Sequence, residues 1–347
     1  LSFLGGNSLT VANLKNSLSI NGVRHKLVSS IKTLAYVIAK HPKGAFALAN
    51  DYDAKKDGLY RLLPIPLAFT GSFNGLGHSI SNLAIADSTD STLGFFYELT
   101  APGTISSIGL ENVVVRASIF FSVTGALVGV QNGGTVFNSW STGKVNGGYG
   151  SDTGGLVGHL TSNGAVTNAW SSAKVTNLNG GGAGGLVGAM DSGAISSSFA
   201  TGFVHEYLCV GGLVGSQYAG SIANSYATGK VRSTDSRYAD TGGFVGCTNG
   251  GNLASSYSTG SVRKAVGLNV GGFIGFSSGG SFSKCYWDTR TSGTDVGIGS
   301  GDKRGVKGIS TKKLQSTLPE GFDPAIWAED AAINNGFPYL IANPPAK

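Results

Sequence analysis

At 347 residues, 41% apolar and 13% charged, the chain carries enough hydrophobic material for a core, which excludes intrinsic disorder. No apolar run is long enough to span a bilayer as a helix, and a formal charge of +6 favours anionic partners without demanding one. The 56 glycines, against 9 prolines, recur at fixed places inside apolar phrases, so they read as turn markers rather than as a linker. The chain starts at Leu1 rather than methionine, as a processed or excised piece would, so the lack of a signal peptide says little about location.

In chain order, the first element is a helix over Ser30–Lys40. Ile31, Leu34, Ala35 and Ile38 fall at helical spacing, Ser29 or Ser30 can cap the start, and Pro42 stops the run. Phe46 to Asp53 and Phe69 to Leu83 read as strands and turns of irregular first coils. A divergent coil follows through Leu93 to Phe96 and Ile105 to Ile108. Then a GGLVG-type phrase is written six times, beginning at Gly125, Gly154, Gly184, Gly211, Gly242 and Gly271. Each copy is trailed by one aromatic, Trp140, Trp170, Phe199, Tyr226, Tyr257 or Tyr286, at intervals of 30, 29, 27, 31 and 29 residues. That period marks a solenoid in which each unit contacts only its neighbours. After the array, Ser310–Leu318 places Leu314 and Leu318 on one face of a second helix that Pro319 ends.

The unit is too short for a propeller blade and lacks a 3.6-residue period, so the expected fold is all-β, a right-handed parallel β-helix of about 29-residue coils. Each coil should hold two or three short strands, and the two helices should lie on or near the mouths of the tube, covering edges that would otherwise invite aggregation. The expected organisation is one continuous solenoid: residues 1–123 as the N-terminal cap helix and irregular coils, 124–289 as six repeats, and 290–347 as a C-terminal cap. Strict alternation puts Ile222, Asn224 and Tyr226 on one side of a strand and Ala223, Ser225 and Ala227 on the other. On that parity the aromatics, Trp140 and Trp170 included, form a ladder inside the tube, and a flat Ser and Ala face looks outward.

The repeats resemble the GLUG repeat of large secreted bacterial proteins, among them filamentous haemagglutinin-like adhesins exported by two-partner secretion and some immunoglobulin A peptidases. The resemblance rests on FTGSFNGLGHSISNL (Phe69 to Leu83), the six copies with tails such as NSYATGKV (Asn224 to Val231), CYWDTRTSG (Cys285 to Gly293), GFDPAIW (Gly321 to Trp327) and NNGFPYL (Asn334 to Leu340), and it covers about residues 20 to 343. It implies a fold and a secreted or surface-displayed bacterial protein. The family's repeat brings no established catalytic residues. Three departures, Phe203 for the lysine of Lys144, Lys174 and Lys230, Ala173 for a turn glycine, and Lys284 for an inward Asn, should weaken the ladder at their coils.

Chemistry is sparse. A β-helix enzyme needs acids grouped on adjacent coils. Of Asp152, Asp191, Glu206, Asp235 and Asp240, only Asp152 and Asp240 hold matching places, three coils or about 14 Å apart. Asp51 and Asp53 could bind a cation or simply stabilise a turn, and His78 suits a hydrogen-bonding role. Arg232, Asp235, Arg237, Tyr238 and Asp240, in the longest interval, could hold a sugar or form a solvated loop. Lys303, Arg304, Lys307, Lys312 and Lys313 could contact an acidic polymer or form a solvated face. Cys209, Cys247 and Cys285 occupy non-equivalent repeat positions, so they read as buried small side chains, with no stacked disulfide and no zinc spacing.

These readings converge on an adhesin-like structural or binding module, secreted or at the cell surface, without cofactor or metal. Its expected partners are glycans or host or bacterial cell surfaces, acidic polysaccharide among them. A polysaccharide-active enzyme and a self-associating filament or matrix subunit are the other two readings.

Overall fold

The structure, a computed structural model, describes residues 7–11, 13, 17–177, 180–234, 239–263 and 269–345. It is a parallel β-solenoid, as the period requires. Most of its strands fall in a long sheet of 25 short strands, a nine-stranded sheet and a seven-stranded sheet, which run along the molecule. One coil contains five short strands rather than two or three: Asp152–Gly154 in the seven-stranded sheet, Val157–Thr161 in the nine-stranded sheet, and Ala165–Thr167, Trp170–Ser171 and Lys174–Thr176 in the long sheet. Each pairs in parallel with the equivalent segment one coil on. Pairing breaks off briefly at Ala173 and Phe203 and resumes in the same register just beyond them.

The glycine phrase is explained by close approach more than by turning. A Cβ on Gly154 would lie 1.9 Å from the Val157 carbonyl oxygen and 2.6 Å from the Gly188 amide nitrogen, and one on Gly188 would lie 2.5 Å from the Thr153 nitrogen. The seven- and nine-stranded sheets therefore meet backbone to backbone, and any side chain in that seam would force them apart. Leu127, Leu156, Leu186, Leu213, Phe244 and Phe273, in the middle of the phrases, turn into the tube and are fully buried.

The aromatic ladder is not inside the tube. In every repeat the residue two places before the aromatic has a left-handed backbone: Asn138 (φ 48°), Asn168 (50°), Ser197 (48°), Asn224 (48°), Ser255 (46°) and Lys284 (54°). This corner interrupts the two-residue period, so the side chains beyond it swap faces. Ile222 points into the core, whereas Tyr226 joins a separate cluster on the outside of the long sheet. Ala227 takes the inward place. Ser225 and Ala227 are fully buried, so the Ser and Ala side is not the flat outer face that alternation implied. Asparagine holds three of these six corners, where its short polar side chain tolerates the left-handed region.

The ends are closed by different devices. Helix α1 (Ile31–Lys40) is capped by Ser30, whose Oγ accepts from the Thr33 amide, and it buries Ile31, Leu34, Val37 and Ile38 against the first coils. Before it, Ser17–Ile20 and Val23–Val28 form an antiparallel hairpin through Asn21-Gly22, a dipeptide suited to the positive φ of both turn residues. At the far end, Trp287 occupies the inward position that Ser258 holds one coil earlier and packs on Gly272 and Gly297. The second predicted helix shrinks to one turn, α2 (Thr311–Leu314), capped by Ser310. Among the described residues no helix is long and apolar enough to cross a membrane.

Candidate functional site

The outward side of the long sheet carries the chain's most regular surface chemistry. Trp140, Trp170, Phe199, Tyr226 and Tyr257 stack one per coil, with ring centroids 5.0, 5.7, 4.7 and 5.2 Å apart and ring planes within 7° of parallel. Tyr286 continues the register. The faces of the middle rings are spent on one another, and the lower face of Trp140 lies on Gly109, where a Cβ would come within 2.3 Å of the indole. Only ring edges remain for another surface.

The C-terminal tail covers those edges along most of the ladder. Leu314, Phe322, Trp327, Phe337 and Leu340 pack on Phe199, Tyr226, Tyr257 and Tyr286. The Tyr257 hydroxyl donates to the Pro338 carbonyl and accepts from Asn334 Nδ2 (2.8 Å), the Tyr286 hydroxyl donates to the Glu320 carbonyl (2.8 Å), and Asn343 Nδ2 donates to the Ser197 carbonyl (3.1 Å). Asp288 fixes the start of the tail: its Oδ1 accepts from the Arg290 amide (2.9 Å) and from Thr311 Oγ1 (3.0 Å). Trp140 and Trp170, beyond this cover, are half-buried rather than core residues.

Past the aromatic row, each strand presents Thr142, Ser172, Thr201 or Thr228, and then a cation row. Lys144 pairs in register with Lys174. Phe203 sits between two ammonium groups, Lys174 Nζ at 5.7 Å and Lys230 Nζ at 5.9 Å from its ring centroid, so replacing the lysine there leaves a cation–π bridge rather than a gap. A second row holds Arg116, Asn146, Thr176, His205, Arg232 and Arg263, each opposite the next. The His205 imidazole is held below its ordinary value by burial and by the charges of Arg232 and Lys174.

The predicted residues distribute as follows. Arg232 is exposed in the second row. Asp240 lies on the seven-stranded sheet and accepts from Asn269 Nδ2 (2.7 Å), its carboxyl raised by burial. The structure therefore places these two in different sheets, while Asp235, Arg237 and Tyr238 lie outside the described residues. Lys303, Arg304, Lys307, Lys312 and Lys313 are all exposed. Arg304 forks onto Asp302 through Nε (2.9 Å) and Nη2 (2.6 Å), which compensates its charge, while Lys307 and Lys313 help to line a cleft of about 370 Å³ with Tyr286 and Glu320. Asp51 and Asp53 serve the local turns: Asp51 Oδ1 accepts from the Ser79 amide (2.8 Å) and contacts His78 Nδ1 (3.1 Å), and Asp53 Oδ1 accepts from the Lys55 amide (3.0 Å).

Two groupings escaped sequence reasoning. Cys209 and Cys247 form a disulfide, with Cα atoms 5.4 Å apart, and only Cys285 is a buried free thiol. Equivalent repeat positions are not needed, because the strand after one glycine phrase lies in backbone contact with the strand before the preceding phrase; a Cβ on Gly246 would lie 2.7 Å from the Cys209 carbonyl carbon. Asp240 lies within 4.8 Å of both sulfurs, but these are joined to each other and so offer no thiolate pair to a metal. The second grouping is His159, whose Nε2 lies 3.1 Å from Asp191 Oδ2, a close contact without the alignment of a hydrogen bond. The Asp152 carboxyl is raised mainly by burial, with His159 pulling it down and Asp191 pushing it up.

Comparison with known proteins agrees with this geometry. Residues 206–232 match the GLUG motif. A 96-residue stretch, 28% of this chain, is 40% identical to Halomucin of Haloquadratum walsbyi, of whose length it spans 1%. A crystal structure from Bacteroides ovatus, provisionally described as an immunoglobulin A1 protease, superposes with a TM-score of 0.57 over 92% of this chain and 93% of that one, at 19% identity, which speaks for the fold alone. The matched segment holds the fourth of six phrases in the same register, so the chain is a parallel β-solenoid that carries a GLUG motif in one of its coils.

Proposed function

We propose that this protein is an adhesin-like extracellular module, secreted or surface-displayed, that presents a rigid outer face to glycans or cell surfaces in the manner of haemagglutinin-like exoproteins. The carrying observation is the coil-to-coil disulfide Cys209–Cys247 on a column whose outer face keeps ordered polar rows open to solvent. Such bonds persist in oxidising compartments, and a fixed array of side chains loses little entropy on binding. The GLUG motif and the solenoid fold are compatible with this role. A filament of end-stacked copies is less favoured, because α1 covers one mouth and Trp287 fills the other. The test is binding of the labelled, oxidised protein to a glycan array and to intact bacterial and host cells. Saturable binding that heat denaturation abolishes is the expected result, and no binding to any glycan or cell would sink the reading.

One observation favours the enzyme reading second. Asp152, His159 and Asp191 interact across adjacent coils, bringing two acids and a base closer than the match between Asp152 and Asp240 suggested. Reducing-sugar release that Asp191→Asn abolishes, without loss of fold, would move this reading to first place.

A further inference from the structure

Deepening the binding-module reading and resting on it, we propose that Arg116, Lys144, Lys174, Lys230, Arg232 and Arg263 form a strip that binds a linear acidic polysaccharide lying along the solenoid axis. All six are exposed on the outward side of the long sheet. The register stacks Lys144 on Lys174, puts Lys230 one coil beyond Phe203, and stacks Arg232 under Arg263. Neighbouring rungs repeat at about 4.8 Å, the strand spacing of any sheet.

Like charges directly opposite one another on neighbouring strands oppose folding. None of the six takes part in the four ion pairs found among the described residues, which involve His78, His159, Lys284 and Arg304. Glu206, on the same strand as His205, points inward and is buried. The His205 imidazole, held low first by burial, is lowered further by the charges of Arg232 and Lys174. An external polyanion would relieve this repulsion, and cations held in register on successive coils, in two rows two residues apart, suit a linear polymer with repeated carboxylates.

The neighbouring rows select polysaccharide over nucleic acid. Proteins that hold single strands stack bases on free aromatic faces. Here the ring faces along the ladder are covered by the next rung, and Trp140 lies on Gly109. What flanks the cations instead is the hydroxyl row of Thr142, Ser172, Thr201 and Thr228, matched to a hydroxyl-rich chain. The strip is also distinct from Lys303 to Lys313, where Asp302 and Glu320 stand beside the cations.

The experiment measures binding of the full chain to immobilised polygalacturonate at low and moderate salt, with fully methyl-esterified pectin and single-stranded DNA as competitors. Two triple variants are compared: Lys144→Ser, Lys174→Ser, Lys230→Ser on the strip, and Lys303→Ser, Arg304→Ser, Lys307→Ser at the C-terminal segment. All replaced side chains are exposed, and thermal melting checks that both variants fold as the parent does. The parent should bind polygalacturonate in a salt-dependent way and ignore the ester, since screening shortens the field to about 10 Å at 0.1 M. The strip variant should lose about tenfold or more in affinity and show a shallower salt dependence, while the C-terminal variant stays within about twofold. Equal binding by the strip variant, equal loss in the C-terminal variant, or stronger competition by DNA than by polygalacturonate itself would overturn the proposal. If the parent binds neutral glycans or cells but not polygalacturonate, the strip fails while the module reading stands; if it binds none of these, both fail.

Discussion

Tyr226 and Tyr257 occupy successive rungs of one ladder, both fully buried, yet they differ at the hydroxyl. The Tyr257 oxygen has Pro338 and Asn334 as partners, whereas the Tyr226 oxygen has none among the described residues. Tyr257→Phe should therefore cost about 1–2 kcal/mol, and Tyr226→Phe should be neutral or stabilising by up to about 1 kcal/mol, because a buried unpaired hydroxyl is removed. Denaturant unfolding of the two variants checks this, and equal losses would contradict the assignment. Glu206 gives a second residue-scale expectation. Burial pushes its carboxyl up to about 8, against the backbone amides of Tyr207 and Leu208, with Asp152 adding to the rise. Its folded value lies above the unfolded 4.5, so the folded state keeps a proton that the unfolded state has released between those values. Its contribution is complete below pH 4.5 and is lost as pH rises through 8. Glu206→Gln should flatten that slope, by on the order of 3–5 kcal/mol between pH 4.5 and 8, seen as the wild-type minus variant difference in unfolding free energy.

The elements differ in how much of themselves they show in sequence. Helix α1 was legible because its signals are local: Ser30 as cap, Ile31, Leu34 and Ile38 on one face, Pro42 beyond. The long period was equally plain, since identical phrases must stack. The direction of the aromatic rungs was not, because a single left-handed residue such as Asn224 inverts the alternation, and its backbone angle cannot be read from a two-residue pattern. The tail was opaque for another reason. Its stability comes from partners far away in the chain, as when Asn343 reaches Ser197 and Trp327 packs against Tyr226 and Tyr257, while its own structure is a helical turn, a 3-10 turn and a pair of two-residue strands. Trp327→Ala should thus cost about 3–5 kcal/mol and uncover the ladder edges, read as a lower melting temperature with stronger binding of a hydrophobic dye. A variant that melts unchanged and binds no extra dye would show that the tail is not a structural cover. Of the candidate site, the sequence offered Lys144, Lys174 and Lys230 as one repeat position and Arg232 in a loop cluster; their place on one exposed face beside Arg116 and Arg263 needed the register.

At the scale of the whole molecule, stability is shared among neighbouring coils, so a staple between two of them should matter beyond its own position. Cys209–Cys247 closes a loop with a sequence separation of 38. Removing it, as Cys209→Ala with Cys247→Ala, should lower stability by about 3–4 kcal/mol on the chain-entropy estimate. Matching unfolding curves for the oxidised parent and the double variant would show that the bond adds nothing to the column. The tail has a consequence for growth. Its reach is fixed by its contacts with Tyr286 at one end and with Ser197 and Ala169 at the other. The glycine seam and the corner are the same in every coil, so an extra unit duplicated into the array would meet no new packing demand, and the tail would still cover no more rungs than it does now. Each duplication would instead lengthen the open part of the outer face. In such a design copy number sets valency, and avidity for a long polymer can rise by duplication alone, with closure at both ends left untouched.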